Sequence, residues 1–164
     1  MITIFGKRFS EYVAFSKPIL GLIVVVGLVR LVLSLAGVPN SAVKWISINV
    51  AGWIGVLYYS IRVYTSGFGG FKQLLPIFFL QMVAAQVVIV PAIILAIFTG
   101  SDNIYSAPEY SFGTDGKTWL HVAAHLFIGT TVGSLVSWLV GCVILFAAKK
   151  LLTKGDDTQA AARA

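Results

Sequence analysis

Four long apolar stretches fill most of this chain, at about residues 18–38, 43–63, 74–98 and 119–148, and nearly every charge lies outside them. A helix needs about 20 mostly apolar residues to cross a hydrocarbon core of about 30 Å. Each stretch reaches that length. Strands of a membrane barrel would alternate apolar and polar residues over segments of about ten. The run from Leu22 to Val26 does not alternate. The pattern predicts an all-α integral membrane protein, a bundle of four transmembrane helices with the lipid bilayer as its solvent.

Composition excludes a soluble alternative. Hydrophobic residues make up 58% of the chain and charged residues 11%, against about 45–50% and about 25% in soluble domains. The length suits a single membrane domain over residues 1–152. The polar, alanine-rich segment 153–164 reads as a disordered cytoplasmic tail. A net charge of +6 in a soluble protein would raise the question of nucleic acid. Here the basic residues flank apolar spans and are explained by topology, so no nucleic-acid partner is expected. Cys142 is the only cysteine, which excludes an intramolecular disulfide and a paired-cysteine metal motif.

Lys7, Arg8 and Lys17 precede the first span, as basic residues precede a signal peptide. The lead-in contains Glu11, however, and the apolar core exceeds the usual length of about 7–15 residues. A retained helix is expected. Nine basic residues (Lys7, Arg8, Lys17, Arg62, Lys72, Lys149, Lys150, Lys154 and Arg163) fall on one side of the four spans, and two (Lys44 and Lys117) on the other. The positive-inside rule then puts both termini in the cytoplasm and loop 101–117 outside. Phe5, Phe9, Tyr12 and Val13 recur at helical spacing and predict a short N-terminal interfacial helix. The glycine-rich segment 66–71 lacks the spacing of a phosphate-binding loop. It reads as a tight cytoplasmic turn whose phenylalanines dip into lipid.

Few polar side chains interrupt the spans, and they are the candidate functional residues. Arg30 lies thirteen residues beyond Lys17, or about 20 Å along a helix. A charge at the centre of a membrane helix costs about 2.5–3.5 kcal/mol. Gly27, Arg30, Ser34 and Gly37 share one face, so Arg30 is expected to face protein. Either it snorkels or pairs locally, or it contacts an anion, a lipid headgroup or a carboxylate. Asp102, Glu109 and Asp115 in the acidic loop are the available counter-charges, and Arg30 is expected to reach them or the outer end of span four.

His121 and His125 are four residues apart on span four, a spacing that sets two imidazoles on one helix face. With Glu109 or Asp115 they would form a two-histidine, one-carboxylate site suited to zinc or non-haem iron. The other readings are interfacial histidines hydrogen-bonded to water or loop, or a proton relay. Two histidines on one face cannot sandwich a haem within a monomer, which leaves a single-ligand haem or one shared across a dimer. No cofactor is required by the sequence; a metal ion or a haem is the alternative.

Span four continues with Gly129, Gly133, Ser137 and Gly141, small residues at steps of four that let membrane helices approach closely. They serve packing within the bundle, or docking to a second copy or another membrane subunit. Asn49, Gln81 and Gln86 are further intramembrane polar residues, either interhelical glue or the lining of a solute path. Pro91 should kink span three and leave the Val87 carbonyl short of a partner. The leading expectation is a non-enzymatic scaffold or accessory subunit of a membrane assembly. The alternatives are a metal-dependent membrane enzyme or redox protein at the histidine pair, and a small-solute or ion pathway past Arg30, Asn49, Gln81 and Gln86.

Overall fold

The computed structural model describes the backbone of residues 2–108, 111 and 115–161, and side chains as far as Leu152. The chain opens with an antiparallel hairpin of two short strands, β1 (Thr3–Ile4) and β2 (Lys7–Arg8). Its turn residues Phe5 and Gly6 have φ of 47° and 81°, the positive values that two-residue hairpin turns need. Helix α1 (Phe9–Leu35) follows directly. The Glu11 carboxylate caps its start, accepting from the Arg8 backbone N–H at 2.8 Å and from Arg8 Nε at 3.2 Å.

The separate N-terminal interfacial helix expected from the sequence is therefore corrected. Phe9, Tyr12 and Val13 belong to the first turns of α1 itself, and residues 3–8 fold back over them. The physical reason lies in the hairpin's anchors. The Tyr12 hydroxyl donates to the Ile4 carbonyl at 3.0 Å, and Gln73 Nε2 donates to the Phe5 carbonyl at 2.9 Å. Tyr12 is fully buried, so it fills the bundle end rather than a lipid interface.

A 3₁₀ turn (Asn40–Val43) leads into α2 (Ile48–Thr65), with Ser47 as its cap: the hydroxyl accepts from the Asn49 backbone N–H at 3.2 Å. Helix α3 (Phe71–Thr99) runs unbroken through Pro76 and Pro91 and stops at Gly100, whose φ of 70° is the left-handed stop that glycine adopts without strain. The last span starts as α4 (Trp119–Ala124), passes through a π-turn (His125–Gly129) and continues as α5 (Thr130–Ala161). Helical backbone thus continues across 153–161, which the sequence suggests as tail.

Helices α2 and α3 pack against each other and against both outer helices, α1 on one side and α5 on the other. All four spans are long and apolar enough to cross a membrane. Their outward faces are apolar: Val25, Leu139, Val143 and Phe146 are all well over half exposed. Arg30, Ser60, Gln81, Gln86 and Ser137 are buried. The core is mainly apolar, with these polar side chains set within it, and the outer faces are apolar as well.

The small residues of the last span lie against α3. A Cβ on Gly129 would sit 3.4 Å from Gln86 Nε2, one on Gly133 would sit 2.8 Å from Met82 Sδ, and one on Gly141 would sit 2.5 Å from Phe78 Cε2. Positions 129, 133 and 141 thus descend past 86, 82 and 78, with Ser137 buried between them. The ladder is occupied by the chain's own third helix. At the end of the bundle that carries the hairpin, Phe68 stacks on Phe15 at 4.1 Å and meets Tyr12 edge-on at 5.5 Å. That corrects the expectation for Phe68, which closes the aromatic end of the core rather than dipping into lipid; Phe71 is exposed.

Candidate functional site

At the opposite end, the loop after α3 turns back into the bundle. Asn103 Nδ2 donates to the Ala92 carbonyl at 2.8 Å, the Ile104 N–H to Ser34 Oγ at 2.8 Å, and the Tyr105 hydroxyl to the Gly27 carbonyl at 2.9 Å. Burial pushes the Tyr105 phenol up to about 12, opposed by the Arg30 charge nearby. The phenol therefore stays a donor. These three bonds hold the loop against α1 and α3 and roof the space around Arg30.

Arg30 is 4% exposed, and its guanidinium donates to the side-chain oxygen of Asn40. It shares cavities with Asp102, Tyr105 and His125, as the sequence suggests, but without an ion pair to Asp102 or Asp115. Asp102 lies 2.6 Å and Asp115 3.5 Å from Lys117 Nζ, and no described carboxylate forms an ion pair with Arg30. The Lys117 backbone N–H holds the Asp115 carboxyl below its ordinary range, and Asp102 raises the Lys117 ammonium. Lys117 therefore takes up both acids at the surface. Glu109 lies outside the described residues.

His121 and His125 meet directly. The His121 Nδ1 contacts the Gly116 carbonyl at 2.8 Å, and the two Nε2 atoms are 3.1 Å apart. A carbonyl only accepts, so His121 Nδ1 carries the proton. In the neutral pair His121 Nε2 then accepts from His125 Nε2–H, which leaves His125 Nδ1 as the open lone pair. The π-turn begins at His125: its carbonyl accepts from the Thr130 backbone N–H and from Thr130 Oγ1 at 3.2 Å. Such turns recur at functional sites. Asp115 is held by Lys117 rather than by the imidazoles, and no group of three or more His, Cys, Asp or Glu side chains converges among the described residues.

His125 also lines two cavities. One, of about 360 Å³, lies over α3 between α2 and the last span, with Asn49, Trp53, Gln81, Gln86 and Ser137 in its walls. The other, of about 210 Å³, lies under the folded loop and is lined by Arg30, Asn40, Lys44, Asn49 and Tyr105. Both share Ile48, Asn49, Ile89 and His125, so they adjoin. Gln81 is fully buried, and among the described residues neither of its amide atoms has a hydrogen-bond partner; nor has the Gln86 side-chain oxygen. Gly55 makes room for Gln81, since a Cβ there would lie 2.8 Å from both of its amide atoms.

The structure thus gathers Arg30, Asn49, Gln81, Gln86 and His125 around one pair of cavities. It leaves Asp115 on the far side of Lys117. Sequence reasoning missed Asn40, Lys44 and Tyr105. Asn40 and Lys44 follow the first span closely, and Lys44 was legible only as a topology charge. Nothing in the sequence marks Tyr105, because its position depends on the loop turning inward. Comparisons with family models, with curated proteins and with solved structures each find no match.

Proposed function

We propose that this chain is an integral membrane protein of four crossings, non-enzymatic, with both termini cytoplasmic, that binds a small polar solute in the crevice between α2, α3 and the last span. The observation that carries this reading is the unpartnered amide of Gln81 in a cavity that adjoins the basic chamber at Arg30. A buried amide without a partner costs about 1–3 kcal/mol. A bundle built only to pack or to dock would dispense with that cost by placing leucine at 81 and 86. A crevice that holds solute or water satisfies the amides from within. The buried amides set in that mainly apolar lining favour the solute reading over the accessory-scaffold one.

Gly52 offers a direct test. It lines the larger cavity, and a Cβ there would meet nothing within 4 Å. Gly52→Cys, made with Cys142→Ala, is expected to react with a small water-soluble thiol reagent in membranes. A thiol as inert as one placed at lipid-facing Val143 would remove the crevice from consideration.

Topology is tested separately. Ser106 is fully buried and its hydroxyl accepts from the Asn103 N–H at 3.0 Å, so the outside probe belongs on exposed Ser101. An impermeant reagent applied to intact cells should label Ser101→Cys and spare Ser66→Cys. The opposite pattern would overturn the orientation drawn from the basic residues.

A further inference from the structure

The chemistry of the chamber under the loop identifies what the crevice takes. We infer that this chamber is an anion site, with the Arg30 guanidinium as its fixed charge and Lys44 at its mouth, and that the bound solute carries a phosphate or carboxylate group. The inference rests on the crevice reading above and adds the charge of the occupant.

Arg30 is 4% exposed, and its hydrogen bond goes to the neutral side-chain oxygen of Asn40. A buried cation is tolerated when an anion or a full set of acceptors offsets its desolvation. Among the described residues none of the lining of this chamber is acidic, while Arg30 and Lys44 both contribute to it. Asp102 lines a neighbouring cavity with Arg30 and Asn40, but its carboxylate lies 2.6 Å from Lys117 Nζ, which also holds Asp115 at 3.5 Å. Guanidinium presents five donors in a planar fork suited to two oxygens of one anion, and one bond to Asn40 leaves donors over.

Neutral donors complete the site. Asn49 and Ser47 line the same chamber as Arg30, and the amides of Gln81 and Gln86 stand in the adjoining one. An anion seated at Arg30 would thus find further hydrogen-bonding groups along the crevice. Its source is either the headgroup of an anionic lipid or a small free anion, since both present the same oxygens to the guanidinium.

The thiol at Gly52→Cys (with Cys142→Ala) reads all of this in one assay. Modification rates are compared for a sulfonate-bearing and a trimethylammonium-bearing methanethiosulfonate, each normalised to an exposed thiol at Ser101→Cys. The anionic reagent should be favoured by about tenfold, as a focused positive site implies. Arg30→Gln should abolish the preference and Arg30→Lys should restore most of it. Lys44→Gln, at an exposed residue, should halve it or more without touching the packed core, which keeps the test decisive if Arg30→Gln fails to fold. Protection by inorganic phosphate identifies a free anion. Protection in nanodiscs containing phosphatidylglycerol, and not in pure phosphatidylcholine, identifies a lipid headgroup.

Equal normalised rates for the two reagents, with no protection by either anion source, would overturn the anion site while leaving the crevice open. A thiol unreactive to both reagents would overturn the crevice and the anion site together.

Discussion

Gly141→Leu is expected to destabilise the protein in detergent by about 3 kcal/mol or more, the upper range for overpacking a filled core. A Cβ at 141 would meet Phe78 Cε2 at 2.5 Å, Phe78 Cζ at 2.9 Å and Ser60 Oγ at 2.9 Å. Two helices close on the same point, α3 through a stiff ring and α2 through Ser60. Ser60 is itself fixed, donating to the Val56 carbonyl at 2.6 Å. A leucine there must push α5 away from both. Gly133→Ala should cost much less, because the group it meets, Met82 Sδ at 2.8 Å, belongs to a flexible side chain that can rotate aside. Gly133→Leu falls between the two. Val143→Leu on the exposed face is the control and should leave the melting temperature unchanged. At about 2–4 °C per kcal/mol for a chain of this size, Gly141→Leu should melt about 6–12 °C lower. An unchanged midpoint would mean that the ladder does not lie against α3.

The four spans and the small-residue ladder were legible because both are local repeats. Helix length and apolarity are read directly along the chain, and steps of four at 129, 133, 137 and 141 mark a close-packing stripe whatever it meets. The partner was not legible. That Gln86, Met82 and Phe78 face the ladder depends on the relative shift of α3 and α5, which no local pattern encodes. Arg30 was placed correctly on the protein-facing side with Gly27 and Ser34, for the same periodic reason. It reaches the loop and the outer end of span four, where it shares cavities with Asp102, Tyr105 and His125, but the ion pairs of Asp102 and Asp115 go to Lys117.

Two features escaped for a different reason. The N-terminal hairpin depends on a positive φ at Phe5, a conformation that non-glycine residues seldom adopt, so only Gly6 hinted at the turn. The second span, read from about 43, does lie within the apolar helical stretch Asn40–Thr65, but its regular α-helix begins only at Ile48. Ser47, with its side chain on the Asn49 N–H, is the true boundary, and it carries the ordinary signature of a cap. Moving the helix start to Ile48 is what places Asn49 at the junction of the two cavities.

Gln81→Leu separates a crevice that works from one that merely exists. The side chain is fully buried with both amide atoms unpartnered within the protein. Leucine is one atom shorter, of comparable bulk, and has no polar atoms. If water or solute is the amide's partner, the substitution removes a polar group that the bundle otherwise has to keep hydrated in a region designed to be dry. Stability should then rise in the solute-free protein, where the amide is left poorly satisfied, by up to about 1–3 kcal/mol, and the midpoint by up to about 2–12 °C. At the same time the inner chamber loses its deepest hydrogen-bonding group, so thiol modification at Gly52→Cys should slow and protection by the bound solute should weaken. Gain of stability and loss of access together are the signature of a residue kept for binding against the interest of the fold. A midpoint that falls would show that the amide has a partner in the protein after all. A midpoint that rises while access and protection stay unchanged would reduce Gln81 to a bystander, and the binding chemistry would then rest on Arg30 and its chamber alone.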